Sequence, residues 1–246
     1  MWRVLTLLLK IMNLSKYTLL LAVGVAQFGF AQAATIAKWT FETSLPLLTD
    51  SSTIGSLAAE VGTGTASGFH ASSVTDWSNP VGNNSAESFS VNTWAQNDYF
   101  QFTASTVGFD SISVSFDQFR SGTGPSAFKV AYSTNGTTFT DLSAGSYTVV
   151  NAVNFSDSTS GTSWSSTKTA VNTSYSFSLS AISAVNNSSN LHIRLIHTGT
   201  GVATGGTSRV DNVEIAGTAI PEPSTFAAVL GVAALVGVAA RRRRSV

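Results

Sequence analysis

Hydroxyl nucleophiles are abundant in this chain and bases are scarce. Serine and threonine supply 61 of the 186 residues from 34 to 219, yet the only histidines are His70, His192 and His197. Nucleophilic catalysis needs a nucleophile, a base and an orienting group that converge. Neither a Gly-x-Ser-x-Gly elbow nor a His-Glu-x-x-His pair occurs, and these are the short patterns that would announce such a site. His192 alternates with Leu191, Ile193 and Leu195, which makes it a solvated strand residue. Gly199-Thr-Gly201 and Gly205-Gly206 have no following lysine and helix, so they read as turns and not as a phosphate loop. Paired carboxylates could hydrolyse a glycoside, but the spacing of the acids singles out no pair. A sugar-binding face would use aromatic platforms flanked by Asn, Asp and Arg. Trp77, Trp94, Trp164, Tyr99 and Tyr132 are available for it, and each is equally suited to the core or to anchoring a loop.

Composition narrows the choices. There is no cysteine among the 246 residues, which excludes a disulfide framework and thiol chemistry. The formal charge of zero conceals an asymmetry, because residues 34–219 carry six Lys/Arg against twelve Asp/Glu, a net of −6. Nucleic-acid binding wants a basic face, so no nucleic-acid partner is expected. Length fits one domain over 34–219 between two processing segments, 1–33 and 220–246.

The elements that would position any site are strands. Ile112, Val114 and Phe116 alternate with Ser111, Ser113 and Ser115, the period-2 mark of a half-buried strand. The same alternation runs through Tyr99–Phe102, Phe128–Tyr132, Tyr175–Leu179 and Leu191–Leu195. Asn135-Gly136 predicts a tight turn with Gly136 at positive φ, leading into a strand over Thr137–Leu142. No useful window carries a helical period. The expected fold is all-β, an antiparallel, jelly-roll-like β-sandwich with an N-terminal signal helix and one C-terminal transmembrane helix. Thr43–Asn84 is rich in Gly, Ser and Thr, and Gly62–Gly68 reads as a flexible loop. Asn154–Asn172 reads as a long loop whose Trp164 covers a sheet face.

The N-terminus has the layout of a secretory signal. Arg3, Lys10 and Lys16 are followed by a mostly apolar run, Tyr17–Phe30, and by Ala31-Gln32-Ala33 as a small-x-small cleavage site before Ala34. Starting at Met12 would leave a compact signal; the alternative is an uncleaved anchor helix. At the other end, Pro221-Glu222-Pro223 interrupts regular structure. Fifteen apolar residues follow, Phe226–Ala240, and then Arg241, Arg242, Arg243 and Arg244. With Ser224 and Thr225 the run reaches 17 residues, the bottom of the range for a membrane span, whereas a shorter run suggests a buried core helix. Four arginines cannot follow a core helix indoors cheaply, and they suit the anionic inner membrane surface. The predicted membrane helix is 224–240 with its basic stop at 241–244.

This order of proline motif, apolar helix and arginine-rich end resembles the PEP-CTERM sorting signal of bacterial surface proteins. The resemblance covers roughly the last 26 residues and implies nothing about the fold of the rest. It implies that Pro221, Glu222 and Pro223 are recognised by an exosortase, a membrane-embedded processing enzyme, and that the chain is exported to the envelope or extracellular polymer. A second resemblance lies in Lys38-Trp-Thr-Phe-Glu42 and Ser208-Arg-Val-Asp-Asn-Val-Glu-Ile215. These are similar to the end strands of galactose-binding-like and carbohydrate-binding jelly rolls. In those folds first and last strands are neighbours, and acidic groups there often hold a structural calcium ion. The resemblance implies Glu42 and Asp211 as ligands for a hard cation; otherwise Asp211 accepts a hydrogen bond from Arg209 or a turn amide. The expectation is an exported, membrane-anchored surface protein without catalytic activity, its partners being the membrane, an exosortase-type enzyme and extracellular polysaccharide. A surface carbohydrate-binding module and a secreted hydrolase are the alternatives.

Overall fold

Serine-for-hydrophobe alternation builds the centre of the molecule. In the computed structural model, which describes residues 32–221 apart from 49, 157–159, 162 and 201–204, Ile112, Val114 and Phe116 turn inward from one long strand while Ser113 and Ser115 face out. Strands in chain order are β1 (Ala33–Trp39), β2 (Thr53–Ala58), β3 (Val61–Gly62), β4 (Gly64–Phe69), β5 (Trp77–Ser78), β6 (Phe89–Val91), β7 (Tyr99–Ala104), β8 (Phe109–Arg120), β9 (Ala127–Ser133) and β10 (Thr140–Thr148). They continue with β11 (Val153–Asn154), β12 (Ser160–Gly161), β13 (Ser174–Ser178), β14 (Leu191–His197) and β15 (Ser208–Ala219). The one helical turn among the described residues is a 3-10 turn at Ser183–Val185.

Two sheets pack face to face. The seven-stranded sheet runs β13-β8-β15-β1-β3, with β6 also on β15 and β5 on β6; the six-stranded sheet runs β10-β9-β14-β7-β4-β2. Every paired strand is antiparallel, and β11 and β12 form a separate small hairpin. First and last strands are neighbours, Ala37 opposite Ile215 and Trp39 opposite Val213. Between the sheets lies one apolar core that includes Trp39, Phe89, Phe100, Phe102, Ile193 and Val213. Trp39 meets Phe102 and Phe89 meets Phe100 with tilted rings, at 5.3 and 5.1 Å between centroids, and Trp77 stacks on Phe89 at 5.4 Å. Such pairs add to the area term of ring burial.

The predicted alternating strands all form, with boundaries shifted by one or two residues except in β8, which runs four residues past Phe116. Three other expectations change. Residues 62–68 are not a flexible loop: Gly64–Phe69 is β4, paired along its whole length with β7. Its inward positions are Gly64, Ala66 and Gly68 because large rings from elsewhere occupy the space. A Cβ on Gly64 would lie 2.7 Å from Trp39 Cζ2, and one on Gly68 2.4 Å from Trp77 Cη2. The first strand ends at Trp39, not Glu42, since Phe41 takes φ 55°. That departure is held by Glu60, whose carboxylate accepts the N–H groups of Thr40, Phe41, Thr43 and Ser44. Partial burial pushes the Glu60 carboxyl up, and the four N–H donors outweigh it and hold it below its ordinary value. The strand after Asn135-Gly136 starts at Thr140, three residues late, because the turn runs on to Phe139.

Trp164 is buried as part of a satellite cluster with Phe119, Val153, Phe155 and Ala170. Among the described residues no helix is long and apolar enough to cross a membrane. Ala31, Glu222, Pro223, the helix expected at 224–240 and Arg241–Arg244 lie outside the described residues. Ala33 and Ala34, flanking the predicted cleavage point, are the first residues of β1 and pair with Thr218 and Gly217. At the other end Ile220 donates its N–H to Gly108 O at 2.8 Å, and exposed Pro221 follows directly.

Candidate functional site

Period-2 geometry on β7 and β14 sets the site. With Phe100, Phe102, Ile193 and Leu195 committed to the core, Tyr99, Gln101 and Thr103 must face outward beside Ile196, Arg194 and His192, their register partners. On the other flank β4 brings Phe69 opposite Tyr99 and Ser67 opposite Gln101. Phe69 and Tyr99 stack, centroids 5.8 Å apart and planes at 29°. The Arg194 guanidinium lies 3.8 Å over the Tyr99 ring and 3.5 Å over the Phe139 ring. An unbroken strip, Phe69–Tyr99–Arg194–Phe139, therefore crosses the open face of the six-stranded sheet. Phe69 is 39 % exposed despite its size.

Phe139 reaches the strip because of the turn before it. Ser133 Oγ accepts the N–H groups of Asn135 and Gly136, and Asn135 Oδ1 accepts those of Thr137 and Thr138. Such local bonds fix a loop without strand pairing. Gly136 takes φ 74°, as expected, and lies against His192: a Cβ there would be 3.0 Å from Nε2. His192 is itself held by Thr103 Oγ1 and Asn190 Oδ1, each at 3.0 Å. Burial and then the neighbouring Arg194 charge lower its pKa, so this face carries neutral imidazole and cationic guanidinium side by side at neutral pH. Arg194 donates from Nε to Gln101 Oε1 at 2.8 Å.

Of the five aromatics proposed from sequence, Tyr99 alone belongs to this face. Trp77 and Trp94 are fully buried, Trp164 is 3 % exposed, and Tyr132 packs against the core. Phe69, Phe139, Arg194 and Gln101 were not singled out by sequence; the available clue was the Asn-Gly turn that lays Phe139 across the sheet.

Asp211 is wholly buried, and Glu42 is exposed. Asp211 accepts the N–H of Asn83 and the hydroxyl of Ser85 on Oδ2, and the N–H of Asn212 on Oδ1. The turn-amide alternative thus describes it, while Arg209 instead donates to Val81 O and Ser163 Oγ. Glu42 meets the same loop from outside, accepting the Glu87 N–H at 3.0 Å. Asp211 Oδ2, Ser85 Oγ and the Glu87 carbonyl converge beside Gly82, where a Cβ would lie 2.4, 2.0 and 2.2 Å from them. An all-oxygen set suits a hard cation in chemistry, although in this arrangement protein donors take the Asp211 lone pairs. Among the described residues no group of three His, Cys, Asp or Glu is placed to hold a metal ion.

Asp117 is the register partner of Asp211, so two acids do face each other. Asn83 bridges them, donating its backbone N–H to Asp211 and its side-chain amide to Asp117. Burial, reinforced by the Asp117 charge and opposed by the Ser85, Asn83 and Asn212 donors, pushes Asp211 up to about 7. This is a packed polar knot that no glycoside can enter from the Asp211 side. A shallow groove of about 310 Å³ runs above Asp117 on the outer face of the seven-stranded sheet, where Lys38 and Glu214 pair at 3.5 Å.

No family model and no curated protein matches the sequence. Solved structures of similar outline include the CBM22-1 xylan-binding domain of Xyn10C from Paenibacillus barcinonensis, at 11 % identity over 78 % of this chain and 100 % of that one, with a TM-score of 0.40. The mannan-recognising module TmCBM27 gives 11 % identity over 76 % and 99 %, with a TM-score of 0.41. The K1 adhesin domain of Lys-gingipain from Porphyromonas gingivalis W83 gives 11 % over 75 % and 97 %, with a TM-score of 0.38.

Proposed function

We propose that residues 34–219 are a non-catalytic glycan-binding module of an exported, membrane-anchored surface protein. The observation that carries the binding reading is the Phe69–Tyr99–Arg194–Phe139 strip on an open sheet face. The C–H face of a sugar ring is apolar and stacks on an aromatic ring, while its hydroxyls need donors and acceptors at the rim. Gln101 and Thr103, two residues apart on β7, and Ser67, opposite Gln101 on β4, supply those. A preformed strip loses little side-chain entropy on binding. Affinity electrophoresis of the full-length protein through gels containing soluble polysaccharides tests this. Tyr99→Ala and Phe69→Ala are each expected to weaken retardation by about 30-fold, the effect of truncating an aromatic anchor. Retardation unchanged in both variants, or none by any polysaccharide, retires the reading.

Export and anchoring rest on the order of segments along the chain. In this proposal the N-terminal segment is cut between Ala33 and Ala34, and 224–240 lies in the membrane with Arg241–Arg244 inside. An exosortase reads Pro221, Glu222 and Pro223, which begin two residues after β15 ends. Fractionation of cells carrying an internally tagged copy is expected to place the protein with the membrane or outside the cell. Full-length protein in the cytosol would remove the anchor from the proposal.

A further inference from the structure

Three arginines lie in the described domain, and two of them are spent on the protein. Arg120 donates to the carbonyls of Val149, Ser121, Gly122 and Gly124. Arg209 donates to Val81 O and Ser163 Oγ and is 8 % exposed. Arg194 differs. Its Nε is used by Gln101, but its two terminal nitrogens have no hydrogen-bond partner or ion pair among the described residues, and it is half-buried on the open face. Lys129, the other cation on that face, is paired with Asp141 at 2.8 Å.

The geometry of Arg194 also restricts what it can bind. Tyr99 and Phe139 cover the two faces of the guanidinium at 3.8 and 3.5 Å, so only its edge is available. That edge is a planar fork of N–H donors, the shape that meets a carboxylate or a sulfate through two parallel hydrogen bonds. Stacking fixes the plane in advance, so little orientational freedom remains to be lost when an oxyanion arrives. In a domain of net charge −6, this uncompensated cation sits in the middle of the proposed platform.

We infer that the glycan taken by this face is acidic, with an oxyanion on a sugar ring, carboxylate or sulfate ester, seated on the Arg194 edge while a neighbouring sugar ring lies against the exposed Phe69. This rests on the glycan-binding reading above and goes beyond it by fixing the charge class of the ligand. Non-specific attraction to the domain cannot imitate it, since residues 34–219 as a whole repel a polyanion; attraction to Arg241–Arg244 of the full-length protein does not depend on Arg194, so the Arg194→Gln variant tells the two apart.

The test is affinity electrophoresis of the full-length protein against matched polymers: polygalacturonate with its methyl ester, and dextran sulfate with dextran. Retardation by an anionic member and not by its neutral counterpart is expected, and which pair responds identifies the oxyanion. Arg194→Gln is expected to weaken it by about tenfold or more, as for loss of a charge-assisted bidentate contact. Arg194→Lys, which keeps the charge and loses the fork, is expected to lose most of the same affinity. Urea midpoints measured alongside separate lost binding from lost folding. Equal retardation by charged and neutral members, or retardation indifferent to Arg194→Gln in a folded protein, overturns the acidic assignment and leaves the glycan reading intact. No retardation by any of the four overturns both.

Discussion

Trp94→Ala is expected to destabilise the domain by about 3–5 kcal/mol, the range for truncating a fully buried aromatic. A domain of this size has about 5–15 kcal/mol in all, so the loss is a large fraction of its stability. Trp94 is 0 % exposed and donates its indole N–H to Val91 O at 2.9 Å. Its ring meets Phe100 and Phe128 edge-on, both at 5.2 Å, and His70 at 4.3 Å. Alanine loses the transfer free energy, leaves a cavity bordered by both sheets and strands the Val91 carbonyl. Urea denaturation followed by far-ultraviolet circular dichroism measures the loss. Trp94→Phe is the milder companion: it keeps most of the packing, loses the indole bond at about 1–3 kcal/mol, and leaves retardation by polysaccharide unchanged because the ring never reaches the outer face. An unaltered urea midpoint for Trp94→Ala would mean that this side chain is exposed after all.

That expectation marks where the sequence stops being readable. Alternation is a local property, so β7, β8, β9, β13 and β14 could be found from the spacing of Phe, Tyr, Ile, Val and Leu against Ser, Thr and His. β4 could not. Its inward residues are glycine and alanine because Trp39 and Trp77 fill the space above them, and nothing within 62–68 records the presence of those rings. Tryptophans have the same ambiguity in reverse. Trp39, Trp77, Trp94 and Trp164 find acceptors in Leu57 O, Ser51 O, Val91 O and Thr173 Oγ1, and a satisfied indole N–H is what permits burial. Composition cannot reveal those partners. The strip has a third difficulty: Phe69, Tyr99, Arg194 and Phe139 come from β4, β7, β14 and a turn, so their adjacency depends on register between distant segments. Tyr99 could be named and its neighbours could not. Asp211 was legible as a residue of the final strand beside the first, but the loop at 82–87 that closes over it carries no comparable pattern.

Acidification is expected to destabilise the domain through His70, most steeply between pH 6.5 and about 4. His70 is fully buried between Trp77 and Trp94. Its Nδ1 faces the Thr93 carbonyl at 3.2 Å and Asp98 Oδ2 at 3.4 Å, and since both can only accept, Nδ1 carries the proton. Nε2 has no hydrogen-bond partner among the described residues. Protonating it would leave an unsolvated, unpaired donor in the core. Two influences compete: the Thr93 and Asn92 carbonyls favour the cation, while burial, foremost, and the His197 charge oppose it, so His70 falls from 6.5 to about 4. Asp98 so close would by itself suggest an ion pair, yet that acid is also buried, which pushes its own carboxyl upward against the N–H groups of Ala95 and Ala71. Burial of both partners dominates. Because the folded value lies below the unfolded one, the stabilisation is complete above pH 6.5 and is lost as pH falls toward 4. At 1.36 kcal/mol per pH unit this amounts to about 3 kcal/mol. The raised Asp98 works in the opposite sense, since the folded state then binds a proton more tightly than the unfolded chain does, and it offsets part of the loss at the acid end. Urea midpoints of the wild type and His70→Leu between pH 8 and pH 4 isolate the term, because other carboxylates titrate alike in both. The difference between the two proteins should shrink or reverse in favour of His70→Leu as the solution is acidified. A difference that stays constant with pH would show that this imidazole takes up its proton as easily folded as unfolded.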